Sequence, residues 1–449
     1  MKHLFSRLSP AQKIILSFLL VIFCGSLLLS LPWVQTASSQ AGYLDHLFTA
    51  VSMVCVTGLF TRSVVDTYNV WGQLLCMLLI QIGGLGILTF IGFFTMESRK
   101  KLSLKDRRIL RDSFSYGHNR TLGQFVRSIF ITTFSIEGLG ALLLMIRFIP
   151  KFGMRKGIFN SIFLAVSAFC NAGFDNFGND SLLGFQTDVL VNITLALLII
   201  TGGLGFMVWF DLATKLGGKQ KGLHFHTKVV LLLTAGLLVF GTVTSLWTEY
   251  NNPGTIGNLS FGDKLLVSFF QTVSMRTAGF ASIDYTAARP VTLFIYLLQM
   301  FLGGAPGGTA GGLKITTFLV LLLFARKEIL GLPHTNMGRR TLSPQLVQKA
   351  FGVTVIFQLT FLLGLLALGL VTDSSHRFIY LIFETVSALA TVGVTANITT
   401  SLNTAGMIVI MLLMFIGRVG PLTLMVSLNH YQPKKAATLH YSKADIMIG

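Results

Sequence analysis

The chain has 449 residues, 52% of them hydrophobic and only 12% charged. Soluble domains carry about a quarter charged residues, so a water-soluble globular protein is excluded. The net charge of +18 would suit a nucleic-acid binder if the chain were soluble. In so apolar a chain it reads as basic residues kept on the cytoplasmic side of a membrane, with no nucleic-acid partner.

A bilayer span needs ~20 apolar residues, and eight stretches reach that length: 14–33, 70–96, 125–149, 188–214, 228–248, 290–325 (interrupted), 350–371 and 405–428. The first follows Lys2, Arg7 and Lys13, as a signal peptide would. Its apolar run is too long for that, no small-residue cleavage site follows, and "SLPW" ends it with an interfacial Trp. Most Lys and Arg fall in 99–127, 215–228, 326–349 and 434–443 and at the N-terminus. That asymmetry predicts a multi-pass protein of the cell membrane with both termini cytoplasmic. Arg147, Lys151, Arg155 and Lys156 form an exception on the outer side. Cys24, Cys55, Cys76 and Cys170 lie in apolar segments without metal-ligand spacing and imply no disulfide framework.

One short stretch recurs. "TAVSMVCVTGLF" at 49–60 has relatives in "IFLAVSAFCNAGF" (162–174), "SFFQTVSMRTAGF" (268–280) and "IFETVSALATVGV" (382–394). Each has an apolar run, then Val-Ser, then a tail ending in Gly58, Gly173, Gly279 or Gly393; in the third copy the Val-Ser lies one residue closer to its Gly. A second glycine landmark follows each at near-constant spacing: Gly83, Gly202, Gly303 and Gly417. The short apolar pieces, 43–56, 157–171, 261–274 and 376–389, begin at polar residues suited to a helix start: Asp45, Asn160–Ser161, Ser260 with Asp263, and Ser374–Ser375. They are too short to cross and read as re-entrant pieces. The extended residues after them need a setting buried in protein or lining water.

The chain is therefore expected to be an all-α integral membrane protein. Four tandem M1–P–M2 repeats, with eight transmembrane helices and four re-entrant pore loops, would stand in pseudo-fourfold arrangement around one pore. The repeats cover 9–98, 122–216, 225–328 and 344–430, followed by a cytoplasmic C-terminal tail, 431–449. Helices that stop halfway aim the negative ends of their dipoles at one point, and loop carbonyls beyond them can replace the water shell of a cation. The expected ion-binding residues are Cys55, Val56, Thr57 and Gly58; Cys170, Asn171, Ala172 and Gly173; Arg276, Thr277, Ala278 and Gly279; and Ala390, Thr391, Val392 and Gly393. The alternative for any single copy is a helix kink or packing glycine. Arg276 is awkward beside a cation path, so its side chain is expected to point away and tie the loop's back to a neighbouring loop.

These units and glycines resemble the Trk/Ktr/HKT superfamily of potassium transporters, from about Ser9 to Leu428, and the short N-terminus is more like the KtrB-type subunits than the longer TrkH type. The resemblance implies K+ as substrate, Na+ as a candidate activator, no cofactor bound by this chain and no enzymatic activity. It also implies a homodimer of membrane subunits and a cytoplasmic KtrA-type RCK ring binding ATP or ADP. In the related plant transporters Ser at the first filter position accompanies sodium preference; Gly58 stands there in this chain, which implies potassium.

The sixth stretch is interrupted by Gly303, Gly304, Ala305, Pro306, Gly307, Gly308, Thr309, Ala310, Gly311 and Gly312, then Leu313 and Lys314. A continuous helix through it would be costly. A packing face of the GxxxG kind and a passive kink compete with a flexible loop under the filter; a phosphate loop fails because Leu313 precedes Lys314. In the resembled family a loop at this place is the gate. Arg418 in the last stretch is expensive at that depth and functional by default. The family places a basic residue here in the permeation path, so Arg418 is expected to contact the gate loop. Lys314 is expected either to snorkel to the cytoplasmic interface or to serve the pore. Glu137 reads as a packing carboxylate, and His224 and His226 as solvated loop residues. A solute carrier built on inverted repeats fits poorly, because the four units run in the same orientation.

Overall fold

A computed structural model describes residues 10–86, 122–178, 181–218, 220, 222–372 and 377–420. Most of the basic segment 99–127, the ends of the 70–96 and 405–428 stretches, Ser374–Ser375 and the tail 431–449 lie outside these.

The helices of more than one turn, in chain order, are α1 (Pro10–Leu29), α2 (Tyr43–Val54), α3 (Val70–Leu85), α4 (Leu122–Phe152), α5 (Met154–Phe169), α6 (Val189–Gly203), α7 (Phe206–Leu216), α8 (Phe225–Glu249), α9 (Phe261–Ser274), α10 (Pro290–Phe301), α11 (Ile315–Ile329), α12 (Pro344–Val371), α13 (Phe378–Leu389) and α14 (Thr404–Val419). A two-stranded hairpin pairs Asn336–Met337 with Arg340–Thr341. Thus a long helix, a short helix, an irregular loop and another apolar helix follow one another four times.

The long helices α1, α4, α8 and α12 contain the four segments, among the described residues, long and apolar enough to cross a membrane. They expose large apolar side chains on one side, including Leu20, Ile131, Leu232 and Leu363. In water such faces would aggregate; against lipid they are matched. The short helices are the reverse. Every residue from Phe48 to Val54, and from Phe383 to Leu389, is buried. The core therefore sits where the short helices end.

The apolar helices that follow begin on strong caps. Asn69 accepts from Trp71 N and Gly72 N at 2.9 and 3.1 Å, Asp188 from Val191 N at 3.1 Å and Asn403 from Gly406 N at 2.8 Å. Pro290 occupies the first turn of α10.

Two expectations need correction. The 188–214 stretch is not one helix: α6 and α7 meet at 98°, because Gly205 adopts φ +90°, which a helix cannot continue through. The short piece expected at 157–171 starts earlier, at Met154. Gly153 (φ +80°) turns the chain directly out of α4, so Asn160 and Ser161 lie inside α5 rather than at its start.

Candidate functional site

The four short helices end at the four recurring loops. In each loop the residue two before the landmark glycine is left-handed: Val56 (φ +56°), Asn171 (+57°), Thr277 (+68°) and Thr391 (+51°). The glycine itself is at positive φ as well: Gly58 (+104°), Gly173 (+70°), Gly279 (+83°) and Gly393 (+96°). Few non-glycine residues sit there without cost while glycine does so freely, so the same pairing of a strained residue with a left-handed glycine in all four loops marks a common backbone path.

The glycines meet. A Cβ on Gly58 would lie 2.8 Å from Ala172 O and 3.2 Å from the Cα of Gly173. One on Gly173 would lie 2.8 Å from Ala278 O and from the Cα of Gly279, and one on Gly279 would lie 2.7 Å from Val392 O. One on Gly393 would collide with Thr57 O and lie 2.9 Å from the Cα of Gly58. The ring closes in chain order. Each glycine faces the carbonyl of the residue preceding the next one, and all sixteen expected loop residues are buried.

Side chains behind the ring hold it. Gly58 N donates to Ser52 Oγ at 3.2 Å, Phe174 N to Ser167 Oγ at 2.9 Å and Gly393 N to Ser387 Oγ at 3.1 Å. In the third loop Ser274 Oγ instead donates to Phe280 O at 2.5 Å. The backbone explains the difference. Thr57 N, Ala172 N and Val392 N each reach back five residues, to the carbonyls of Ser52, Ser167 and Ser387, at 2.8 Å; Ala278 N reaches back four, to Ser274 O, at 2.9 Å. The one-residue shortening of the third copy is thus absorbed in a tighter turn and the glycine stays in the ring. Sequence reasoning saw the repeated Val-Ser but gave its hydroxyls no role.

The second landmarks serve close approach. A Cβ on Gly83, Gly202 or Gly417 would collide with the carbonyl of Val54, Phe169 or Leu389, the last helical residue of the short helix in the same unit. Gly303 departs from this pattern, since its Cβ would strike Gly311 O within the loop that follows.

Loop 303–314 lies against the ends of these helices. Thr309 Oγ1 donates to Phe169 O at 3.1 Å. Gly311 N donates to Thr277 Oγ1 at 3.1 Å, and a Cβ on Gly311 would lie 2.7 Å from Ala390 O. Gly303, Gly304, Ala305, Thr309, Ala310 and Gly311 are buried, while Pro306, Gly307, Gly308, Gly312 and Lys314 are half-buried. Arg418 reaches the loop as expected. Its Nη1 donates to Thr309 O at 2.5 Å, and its Nη2 donates to Gly83 O and, at 3.3 Å, to Gly84 O. One guanidinium therefore ties α14 to the loop and to the end of α3, through carbonyls alone.

Three other side chains depart from or extend the expectations. Lys314 folds back to donate to Ala310 O at 2.7 Å and Gly311 O at 3.4 Å, bracing the loop instead of snorkelling. Arg276 is buried, but among the described residues its Nε has no hydrogen-bond partner and no tie to a neighbouring loop is found. Glu137 is a held packing carboxylate: Gln81 Nε2 donates to its two oxygens at 3.1 and 3.3 Å. The Cys170 thiol faces the same pair.

A family model described as TrkH, cation transport protein, matches residues 7–438. The Ktr system potassium uptake protein B of Bacillus subtilis (strain 168) is 38% identical across 99% of this chain and 97% of its own length. The potassium/sodium uptake protein NtpJ of Enterococcus hirae is 39% identical across 100% of this chain and 99% of that protein. The crystal structure of the potassium transporter TrkH from Vibrio parahaemolyticus aligns with a TM-score of 0.73 at 18% identity, over 93% of this chain and 84% of that one, a likeness of fold. With its model matched across nearly the whole length, the chain belongs to the TrkH family of cation transport proteins.

Proposed function

We propose that this chain is the ion-translocating subunit of a potassium uptake system, and that K+ passes through a filter made of the four converging loops. The observation that carries the reading is the closed ring of Gly58, Gly173, Gly279 and Gly393, with the carbonyls of Thr57, Ala172, Ala278 and Val392 at its seams. Carbonyl oxygens held by buried backbone exchange for the water shell of a monovalent cation. Four short helices ending there add the negative ends of their dipoles. In this reading the chain is four M1–P–M2 units in pseudo-fourfold arrangement, with both termini cytoplasmic. Loop 303–314 obstructs the path on the inner side of the filter, and Arg418 holds it there.

The relatives named for a Ktr system support a regulatory subunit. The fitting partner is a KtrA-type RCK ring binding ATP or ADP on the cytoplasmic face of a homodimer, with Na+ as activator. The likeness to NtpJ, whose name includes sodium, supports a second reading in which Na+ also permeates.

The deciding experiment is rubidium uptake into liposomes holding the purified chain, with K+ and Na+ as competitors. Uptake blocked by K+ alone supports the filter for potassium. Equal block by both supports the second reading, and no uptake with or without the partner ring refutes both.

A further inference from the structure

The break between α6 and α7 is bonded on two sides. On one side it carries loop 303–314. Ala305 N donates to Gly203 O at 2.9 Å, Thr309 N to Gly202 O at 3.1 Å and Phe206 N to Gly307 O at 3.0 Å. A Cβ on Gly205 would lie 2.7 Å from Pro306 O. The first amide of α7 is therefore a support for the loop, and Trp209 Nε1 braces the bend by donating to Thr201 O at 2.8 Å.

On the other side α7 is pinned at Asp211, which is only 5% exposed. Its Oδ2 accepts from His224 N at 2.9 Å, and its Oδ1 faces His224 Nδ1 at 2.5 Å and Gln220 Nε2. Gln220 also donates to Asp211 O at 3.1 Å. All these donors come from the link into α8. That helix packs Val230 with Leu204 and Val208 against Ala305 and Ile315, at either end of the loop. An apolar residue would suit so buried a position. A carboxylate there carries a desolvation cost that only its ring of donors offsets, and its yield is a fixed geometry between α7 and α8. His224, read from sequence as simply solvated, is half of that fixture.

We infer that Asp211 is a positioning residue for the gate: it locks α7 onto the α8 link and so holds still the α7 end of the shelf, where Phe206 N bonds Gly307 O. The inference rests on the gate reading of loop 303–314. Two of the loop's three bonds go to the end of α6 and one comes from Phe206 N of α7, so with α7 locked, moving residue 307 means breaking a bond to stationary backbone. With α7 released, that end of the shelf moves with the loop and the obstruction clears more easily.

The test is rubidium uptake into liposomes by the full chain. The variants are Asp211→Asn, Asp211→Glu, a deletion of residues 305–310, and the deletion combined with Asp211→Asn. The amide keeps the volume but turns one acceptor into a donor facing the His224 amide. Asp211→Asn is expected to raise maximal uptake about ten-fold, the rate equivalent of one hydrogen bond to a charged group. The KM for Rb+ and the preference over Na+ should not change. Asp211→Glu, which keeps the acceptors, should lie nearer the wild type, and Asp211→Asn should add nothing to the deletion. If the deletion raises uptake and Asp211→Asn does not, the inference is overturned while the gate stands. If the deletion changes nothing, the gate reading itself fails and the inference with it. A changed ion preference in Asp211→Asn would also overturn it, since that is a filter effect. Should Asp211→Asn fail to fold, Gln220→Ala with His224→Ala removes these two side-chain partners and leaves the His224 amide on Asp211, and the same ten-fold rise or its absence decides.

Discussion

At Gly58 two separate restrictions coincide: a φ of +104° and a neighbouring carbonyl where a Cβ would stand. A side chain there strains the backbone by about 1–3 kcal/mol and pushes the seam between the first and second loops apart. Gly58→Ser is therefore expected to fold but to lose much of its discrimination of K+ over Na+, read as Na+ competition in rubidium uptake; an unaltered ratio would remove Gly58 from the filter. Ser387 acts from behind. Its hydroxyl accepts the Gly393 amide in a fully buried setting, and an unmet buried amide costs about 1–3 kcal/mol. Ser387→Ala should lower the denaturation midpoint by that scale and weaken ion preference together. A loss of stability with unaffected preference would make the hydroxyl a brace for the helix end alone.

Among the elements, the four short helices were legible because each carries the same apolar run, Val-Ser and glycine. What stayed hidden was where the flanking helices stop. "GGLG" reads as continuous helix at 83–86 and 202–205, yet its last glycine is left-handed in both copies, Gly86 at φ +82° and Gly205 at φ +90°, and each ends its helix. The start of α5 was misplaced for a similar reason. A glycine turns the chain at 153, and the polar pair taken as its cap has other partners: Ser161 Oγ donates to Gly157 O within the helix at 2.7 Å, and Asn160 Oδ1 accepts from Asn176 Nδ2 of the loop beyond at 2.8 Å. The loop between α10 and α11 was legible because glycine and proline forbid a helix, and its two basic braces define its mechanics. Deleting residues 305–310 removes the Thr309 carbonyl that Arg418 holds, and uptake should rise at least several-fold; unchanged uptake by a monodisperse deletion variant would refute the obstruction. Arg418→Gln leaves one short amide where a guanidinium reached three carbonyls. Uptake should rise in the same direction but less, since Lys314 still ties the loop to itself. A lower folded yield with unchanged uptake per folded molecule would reduce Arg418 to a structural tie.

For the whole molecule, the ring brings together backbone from all four units, so in the filter reading ion and fold should be thermodynamically linked. The carbonyls of Thr57, Ala172, Ala278 and Val392 stand at the seams of the ring, and in the filter reading a cation of the right size between them relieves their mutual repulsion. A ligand that binds the folded state alone stabilises it by about 2.7 kcal/mol at a concentration of 100 Kd. Heating the detergent-solubilised chain in KCl, NaCl or choline chloride at equal ionic strength should therefore give the highest midpoint in KCl, rising with the logarithm of K+ concentration. Gly58→Ser, which opens a seam of the ring, should shrink the gap between KCl and NaCl. Deletion of 305–310 should preserve it, because the loop supplies none of the four seam carbonyls. Equal midpoints in all three salts would mean that the four loops meet for packing reasons alone. A gap that survives Gly58→Ser would place the stabilising cation elsewhere in the protein.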